Sequence, residues 1–351
     1  MKIIRKQTLL TMLLSVLLAS SLLLTACQNT KNQPENNNAA PSGTSTGSTD
    51  AAATEEPSDT ATATPAPETL SSLTFGILPA ESAIPIILAK EKGFFDAEGL
   101  SVTIQSFSSP TDRNVAVQAK ELDGVIGDVM TEAAFYENGL KLKITSDINE
   151  DFKILSSPDS GITDMKGLSG KKVSLVKNFI LEYIMDKFAE ENGFTYDIVE
   201  IPSFSGRSEA LMSNQIDGVV FTEPQASMLV AQGAHLLGSS KEAGIKGGTL
   251  LFTEDAISGK ADSIKAFYRA YNKAVEYMNT TKSSEFVSIL TDYQFPEAIG
   301  TYLDNLKKAY EPAGVIDKAQ FDDIIKWSKD KGQITKDYTY EDLTDFSFLP
   351  Q

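Results

Sequence analysis

Apolar runs of strand length alternate with amphipathic stretches through most of the chain downstream of residue 70. Residues 73–78, 100–107 and 172–176 are runs of this kind and predict buried strands. Helical stretches with their own start signals follow them; Ser109, for example, is placed to cap a helix that has Pro110 at its first position. Strands alternating with helices predict an α/β fold with mostly parallel sheets and helices on both faces.

One strand–turn–helix–turn–strand pattern occurs twice, in residues 106–128 and residues 203–222. Both copies begin Ser-Phe-Ser, and both place an Ala three, an Asp ten and a Gly eleven residues after an Arg. The shared spacing and apolar pattern favour two lobes of like construction. We therefore expect function to lie between the lobes and the Asp-Gly turns to be structural. The matched residues are Arg113, Ala116, Asp123 and Gly124 in the first copy, and Arg207, Ala210, Asp217 and Gly218 in the second.

The predicted order of elements divides the folded part into two lobes. We expect residues 71–157 to form the first part of lobe 1 and residues 158–248 to form lobe 2. Residues 249–351 should return to lobe 1 and end in C-terminal helices. Strands near residues 152–156 and residues 248–253 are expected to cross between the lobes.

The N-terminus resembles a lipoprotein signal peptide, which we assign to residues 1–26. A cationic start precedes an apolar run, residues 9–24, that is short for a membrane-spanning helix. Leu24-Thr25-Ala26-Cys27 then resembles the bacterial box at which the signal is cleaved and the Cys takes lipid. We expect acyl chains such as palmitate on Cys27, because two chains anchor a protein stably. Residues 27–70 lack large apolar side chains almost entirely and predict a disordered tether.

Composition narrows the function classes. The formal net charge of −17 argues against nucleic acid and against an anionic membrane surface as partners. One Cys and one His, His235, make Cys/His metal sites and Cys–His catalysis implausible, so no metal and no cofactor are expected.

Candidate binding residues follow the predicted strands. Ligands of parallel α/β sheets bind at the carboxyl ends of the strands, where helix N-termini present free N–H groups. With two lobes, these turns can face one cleft. The candidates are Glu81, Ser82, Ser108, Ser109, Asp112, Gly127, Asp128, Lys177, Asn178, Phe179, Phe204, Thr222 and Glu223.

Two ligand chemistries fit these residues. Asp128 and Glu223 stand at equivalent strand ends and could clamp an amine, an amidine or an aminopyrimidine, which favours a nitrogen heterocycle. Arg113, Arg207 and Lys177 could instead meet a sulfonate or another small oxyanion. Arg113 and Arg207 oppose the dipoles of the helices they open, so each should face an acid or an anionic ligand.

Several segments resemble the solute-binding proteins of bacterial ABC importers, in the subgroup that binds nitrate, sulfonates, taurine and thiamine precursors (the SsuA/THI5-like family). The resemblance covers residues 72–330. Its segments are Gly76-Ile77-Leu78-Pro79, Ala89-Lys90-Glu91-Lys92-Gly93-Phe94-Phe95, Glu98-Gly99-Leu100, Leu122-Asp123-Gly124, Ile216-Asp217-Gly218-Val219-Val220 and Glu223-Pro224.

The resemblance implies a two-lobed type II periplasmic-binding-protein fold with two crossing strands. It implies a monomer that captures a small molecule between the lobes and delivers it to the permease subunits of an ABC transporter. With the signal and tether, the expected location is the outer face of the bacterial cell membrane, contacted through the lipid anchor only.

Two other function classes are less favoured. The same family contains enzymes that form a thiamine pyrimidine, but those need His and Cys residues in the site, and this chain has His235 alone besides Cys27. A sensor domain would bind without uptake, and no fused signalling segment supports that reading. We therefore expect a binding protein and not an enzyme.

Overall fold

The computed structural model describes residues 70–306 and 309–351. The predicted signal peptide, Cys27 and the tether up to residue 69 lie outside the described residues.

The strands of the described residues fall into two groups along the chain. Most are buried on both faces, as the near-continuous apolar runs of the sequence require. The strands are β1 Leu73–Ile77, β2 Val102–Ser106, β3 Gly124–Asp128, β4 Leu142–Asp147, β5 Lys153–Ser156, β6 Lys172–Leu175, β7 Asp197–Glu200, β8 Gly218–Phe221, β9 His235–Ser239 and β10 Gly248–Thr253.

Helices connect these strands and make up most of the C-terminal part. The helices are α1 Ile84–Glu91, α2 Phe94–Ala97, α3 Pro110–Gln118, α4 Val129–Glu137, α5 Ile180–Asn192, α6 Phe204–Met212, α7 Gln225–Ala231, α8 Ser240–Ala243, α9 Glu254–Gly259, α10 Ala261–Thr280, α11 Val287–Asp292, α12 Ile299–Asp304, α13 Lys318–Asp330 and α14 Tyr340–Leu343. Short 3₁₀ helices cover Glu81–Ala83, Met165–Leu168 and Ser283–Glu285.

Two five-stranded sheets define the lobes. Lobe 1 has the strand order β2-β1-β3-β10-β4, and lobe 2 has the order β7-β6-β8-β5-β9. In each sheet one strand runs antiparallel to its neighbours, β10 in lobe 1 and β5 in lobe 2. Each of these strands directly follows a crossing of the chain from the other lobe, so the two lobes share one construction.

The crossing segments differ from expectation in one respect. The sequence predicts residues 152–156 as the end of lobe 1, with the boundary at residue 158, but strand β5 pairs entirely within the sheet of lobe 2. The chain therefore crosses at residues 148–152, before that strand. It returns through residues 240–247 to β10, which lies in the sheet of lobe 1.

The repeated Asp-Gly turns serve the same structural purpose in both lobes, as expected. Asp123 exchanges hydrogen bonds with the backbone of Thr74 at the start of β1: its Oδ2 accepts at 2.8 Å and its N–H donates at 2.8 Å. Asp217 makes the matching pair with Lys172 at the start of β6, both at 2.9 Å. These turns fix the starts of the strands, at the end of each sheet away from the candidate ligand turns.

The hydrophobic core is not divided as cleanly as the sheets. Helix α10 covers the sheet of lobe 1 with ten buried residues. Helix α13, by contrast, contributes Phe321, Ile324 and Ile325 to a cluster that includes Val129 of lobe 1 and Ile184 of lobe 2. The C-terminal part of the chain therefore packs against both lobes.

Over the described ranges, no helix combines the length and the apolar character that crossing a bilayer requires.

Candidate functional site

The carboxyl ends of corresponding strands meet where the two lobes face each other. The backbone N–H of Glu81, after β1, donates to the carbonyl oxygen of Glu223, after β8, at 2.9 Å. The N–H of Ile180, after β6, donates to Oδ2 of Asp128, at the end of β3, at 3.4 Å. Each lobe thus places one acidic residue against the other lobe, and the strand ends form a closed contact.

Asp128 combines a local and an inter-lobe contact. Its Oδ1 accepts from the N–H of Thr131 at 2.8 Å and so caps α4. Burial raises the pKa of its carboxyl group, while the nearby Arg113 guanidinium and the Thr131 hydrogen bonds act in the opposite direction. Asp128 is therefore both a helix cap and part of the inter-lobe surface.

Glu223 is fully buried, and its carboxylate has three polar partners. Lys153 Nζ lies 2.9 Å from Oε1, while the N–H and the hydroxyl of Ser227 donate to it at 3.0 Å each. Lys153 also lies 3.5 Å from Asp151. Burial opposes the charge of Lys153, but the two carboxylates outweigh it and raise its pKa. The lysine is thus held between two acids.

Glu81 is 2% exposed and is held from the C-terminal part of the chain. Its Oε2 accepts from the hydroxyl of Tyr302 at 2.6 Å and from that of Tyr310 at 3.0 Å. Burial raises the pKa of Glu81 to about 8, and the charges of Asp151 and Glu223 act in the same direction. At neutral pH this carboxyl group is largely protonated. Its Oε1 has no hydrogen-bond partner among the described residues.

The polar residues around the two glutamates form one cluster, which consists of Glu81, Asp151, Lys153, Glu223, Ser227, Tyr302 and Tyr310. A cavity of about 720 Å³ opens beside this cluster, between lobe 2 and the segment around α12. That segment is anchored to lobe 1, because Ile299 is buried in its core. The volume is in the range of small-molecule sites, and the wall mixes apolar and polar groups as such sites do. The wall consists of Asp151, Lys153, Ser227, Met228, Ala231, Leu236, Lys241, Glu242, Ala298, Thr301, Tyr302, Asn305 and Leu306.

A sequence model of the family described as NMT1/THI5 like matches residues 81–281, more than half of the chain. The chain belongs to the NMT1/THI5-like family. A Bacillus subtilis protein whose name assigns it to the binding of aliphatic sulfonates is 26% identical over 294 residues, which are 77% of this chain and 85% of that protein. The 4-amino-5-hydroxymethyl-2-methylpyrimidine phosphate synthase of Schizosaccharomyces pombe is 25% identical over 142 residues, 40% of this chain and 41% of the enzyme.

Solved structures share the fold of this NMT1/THI5-like chain. The ligand-binding component of an ABC-type import system from Staphylococcus aureus superposes with a TM-score of 0.67 at 14% identity, over 79% of this chain and 97% of that one. The periplasmic aliphatic sulphonate binding protein of Escherichia coli gives 0.63 at 15% identity, over 78% and 92%. The expected two-lobed periplasmic-binding-protein fold is confirmed.

The structure brings some of the predicted site residues of this family member together. Glu81, Asp128, Phe179 and Glu223 lie where the lobes meet, and the Arg113 guanidinium lies 6.0 Å from the Phe179 ring across the cleft. Ser82 and Thr222 are buried beside Glu81 and Glu223 in sequence.

Other predicted site residues have local partners instead. Ser109 caps α3 as predicted, and the hydroxyls of Ser108 and Ser109 both donate to Asp112 at 3.2 and 2.8 Å. Gly127 lies so close to Leu251 that a Cβ would contact its Cδ1 at 2.6 Å. The Phe204 ring stacks on Phe221, and Lys177 and Asn178 are exposed. The described part of the cavity wall includes none of these residues. It also includes none of Glu81, Ser82, Asp128, Phe179, Thr222 and Glu223.

Both repeat arginines are buried, and neither faces the cavity wall. Arg113 Nη1 donates to the carbonyl of Ile126 at 2.7 Å, and Arg207 Nη1 donates to that of Ile201 at 3.1 Å. The Arg207 guanidinium lies 5.1 and 4.8 Å from the rings of Phe204 and Phe221. Burial lowers the pKa of each arginine to about 10. Each arginine thus satisfies a backbone carbonyl, in the middle of β3 for Arg113 and just after β7 for Arg207.

Sequence reasoning missed part of the cluster, namely Asp151, Lys153, Ser227, Tyr302 and Tyr310. A run of charges at Glu150, Asp151 and Lys153, next to the predicted crossing, was a usable signal. The two tyrosines are more than 200 positions from Glu81 and carry no local signal.

Proposed function

We propose that this protein is the solute-binding component of an ABC importer. It captures one small molecule between its lobes and delivers it to the permease. The observation that carries this proposal is the 720 Å³ cavity between lobe 2 and the α12 segment, whose wall includes Asp151, Lys153 and Tyr302. Closure of two lobes on a ligand is an established type of domain motion. The family membership and the ABC-import structures of the same fold support the same class.

The cluster favours a nitrogen heterocycle such as a thiamine or pyrimidine precursor. Asp151 lies on the cavity wall and can accept from ring or exocyclic N–H donors, and Glu81 and Glu223 are buried nearby, so acids outnumber the single cation among them, Lys153. Glu81, buried next to this wall, has an oxygen without a hydrogen-bond partner among the described residues, and its raised pKa would let it donate as well as accept if lobe motion opened it to the solute. A pyrimidine, which carries both ring nitrogens and amino groups, matches this capacity.

A small sulfonate is the second candidate. Lys153 and Lys241 both lie on the cavity wall, and relatives by sequence and by fold are named for sulfonate binding. In that case the buried arginines would remain structural and the two lysines would neutralise the anion.

Binding without turnover is the proposed activity. His235 Nε2 lies 3.2 Å from the carbonyl oxygen of Pro158 in lobe 2, and the described cavity wall does not include it. The pyrimidine-forming relatives match less than half of this chain. The protein is further proposed to be a monomer outside the cytoplasm, tethered through residues 27–70 and lipid on Cys27.

Native mass spectrometry of the purified full chain, followed by a thermal-shift panel, tests the proposal. We expect one small molecule per chain. We also expect stabilisation by 4-amino-5-hydroxymethyl-2-methylpyrimidine of about 2.7 kcal/mol at a hundredfold excess over Kd. A shift with taurine or methanesulfonate but not with pyrimidines would select the sulfonate. Conversion of a bound pyrimidine to a new product would refute a pure binding function.

A further inference from the structure

Helix α12 and the residues beside it form one side of the cavity between the lobes. Ala298, Thr301, Tyr302, Asn305 and Leu306 line it, opposite residues of lobe 2 such as Met228 and Lys241. This stretch lies beyond residues 81–281, the part that the family model matches. The family model therefore does not describe the side of the site that α12 forms.

Two contacts fix this wall relative to the acidic cluster. Ile299 is fully buried in the core of lobe 1 and orients the helix. The Tyr302 hydroxyl donates to Glu81 at 2.6 Å, and burial together with Glu81 raises the pKa of Tyr302 so far that it stays protonated. These contacts thus hold the wall against lobe 1 and Glu81.

Thr301 and Asn305 stand four residues apart, and both side chains are exposed at the cavity. Asn305 ends the helix, and its Nδ2 donates to the Thr301 carbonyl at 2.8 Å. Its Oδ1 has no hydrogen-bond partner among the described residues. The pair therefore offers a solute one hydroxyl and one carboxamide acceptor on an otherwise apolar side.

We infer that α12 determines solute specificity, with Thr301 and Asn305 hydrogen-bonding a polar substituent of the solute whose other end faces Asp151 and Lys153. The inference rests on the proposed solute-binding function. It predicts that a solute needs polar groups at both ends, with Met228, Ala231 and Leu236 of lobe 2 covering the part between.

Asn138 provides a matched control for Asn305. It ends α4 as Asn305 ends α12, it is exposed, and its Nδ2 donates to the Ala134 carbonyl at 2.7 Å. The cavity wall, as far as it is described, does not include Asn138. Asn305→Ala and Asn138→Ala remove the same local hydrogen bond, and only the former alters the wall.

The experiment measures Kd by calorimetry on the full chain for 4-amino-5-hydroxymethyl-2-methylpyrimidine and for methanesulfonate. Loss of one hydrogen bond should weaken binding of the pyrimidine, whose hydroxymethyl group can reach the wall, about threefold to tenfold in Asn305→Ala and leave it unchanged in Asn138→Ala. Equal affinities in the two variants overturn the inference while the proposed function stands. A wild-type chain that binds neither probe, and carries no small molecule in native mass spectrometry, overturns both.

Discussion

The Glu150 carboxylate on one crossing segment accepts a hydrogen bond from the backbone N–H of Gly248 at the end of the other, at 3.0 Å. Its second oxygen accepts from the N–H of Gly247 at 2.8 Å. The carboxylate is buried, and burial raises its pKa to about 7, while the two N–H donors and Lys246 lower it and Asp147 raises it further. A titratable group thus joins the two segments about which the lobes would rotate.

Glu150 should make the free energy of unfolding depend on pH. An unfolded glutamate loses its proton near pH 4.5, whereas folded Glu150 keeps it to about 7. Its contribution is therefore fully present below pH 4.5 and is lost as the pH rises through 7, by on the order of 3 kcal/mol. Urea unfolding between pH 4.5 and 8 should show a weaker decline for Glu150→Gln than for the wild type.

Glu311→Gln is the control for this experiment. Glu311 is exposed and, like Asp147, lies near Lys246, so the variant changes the charge beside the crossing segments without changing the buried Glu150. Its pH profile should follow the wild type. Parallel profiles for Glu150→Gln and the wild type would show that Glu150 does not titrate in this range.

Gly248→Ala should destabilise the fold at the point where the two crossing segments meet. A Cβ at this position would collide with the Glu150 carboxylate and with Ile148, so both side chains must move. Overpacking of this kind destabilises a protein by about 1–3 kcal/mol. Gly259→Ala, at the end of α9, meets no atom within 4 Å and should be neutral or slightly stabilising. Equal melting temperatures of the two variants would contradict this account.

Local patterns predicted the lobes and their turns well. Residues close in sequence determine a strand or a cap. The Ser109 cap depends on a neighbour three residues away. The turns at Asp123 and Asp217 each depend on one adjacent strand. Strand β9 was missed, because its five residues include a His and a Gly and follow no clean alternation.

The ligand side of the site was less predictable. Ser108, Ser109 and Asp112 carry the right groups for a solute, but those groups satisfy one another within one turn of helix. The contacts of Glu81 with Tyr302 and Tyr310 depend on the path of the C-terminal helices over lobe 1. Short-range sequence patterns do not predict that path.

Arg207→Met should lower stability and leave solute affinity unchanged. The variant leaves the carbonyls of Ile201 and Pro202 without their donor and removes the guanidinium between two rings, which should destabilise the fold by about 2–4 kcal/mol. Arg269→Met, which removes an exposed ion pair with Glu98, should change stability by less than about 1 kcal/mol. A tenfold weaker affinity for methanesulfonate in Arg207→Met would instead place this arginine in an anion site.

Asp128→Ala should impair both folding and binding. The variant loses the cap of α4, worth about 1 kcal/mol, and also the acceptor for the Ile180 N–H of the other lobe. Asp317→Ala is the matched control, because Asp317 caps α13 through the Gln320 N–H at 2.9 Å and is exposed. Chemical denaturation should show a loss for both variants, larger for Asp128→Ala. Only Asp128→Ala should bind the solute at least fivefold more weakly; equal affinities would reduce Asp128 to a helix cap.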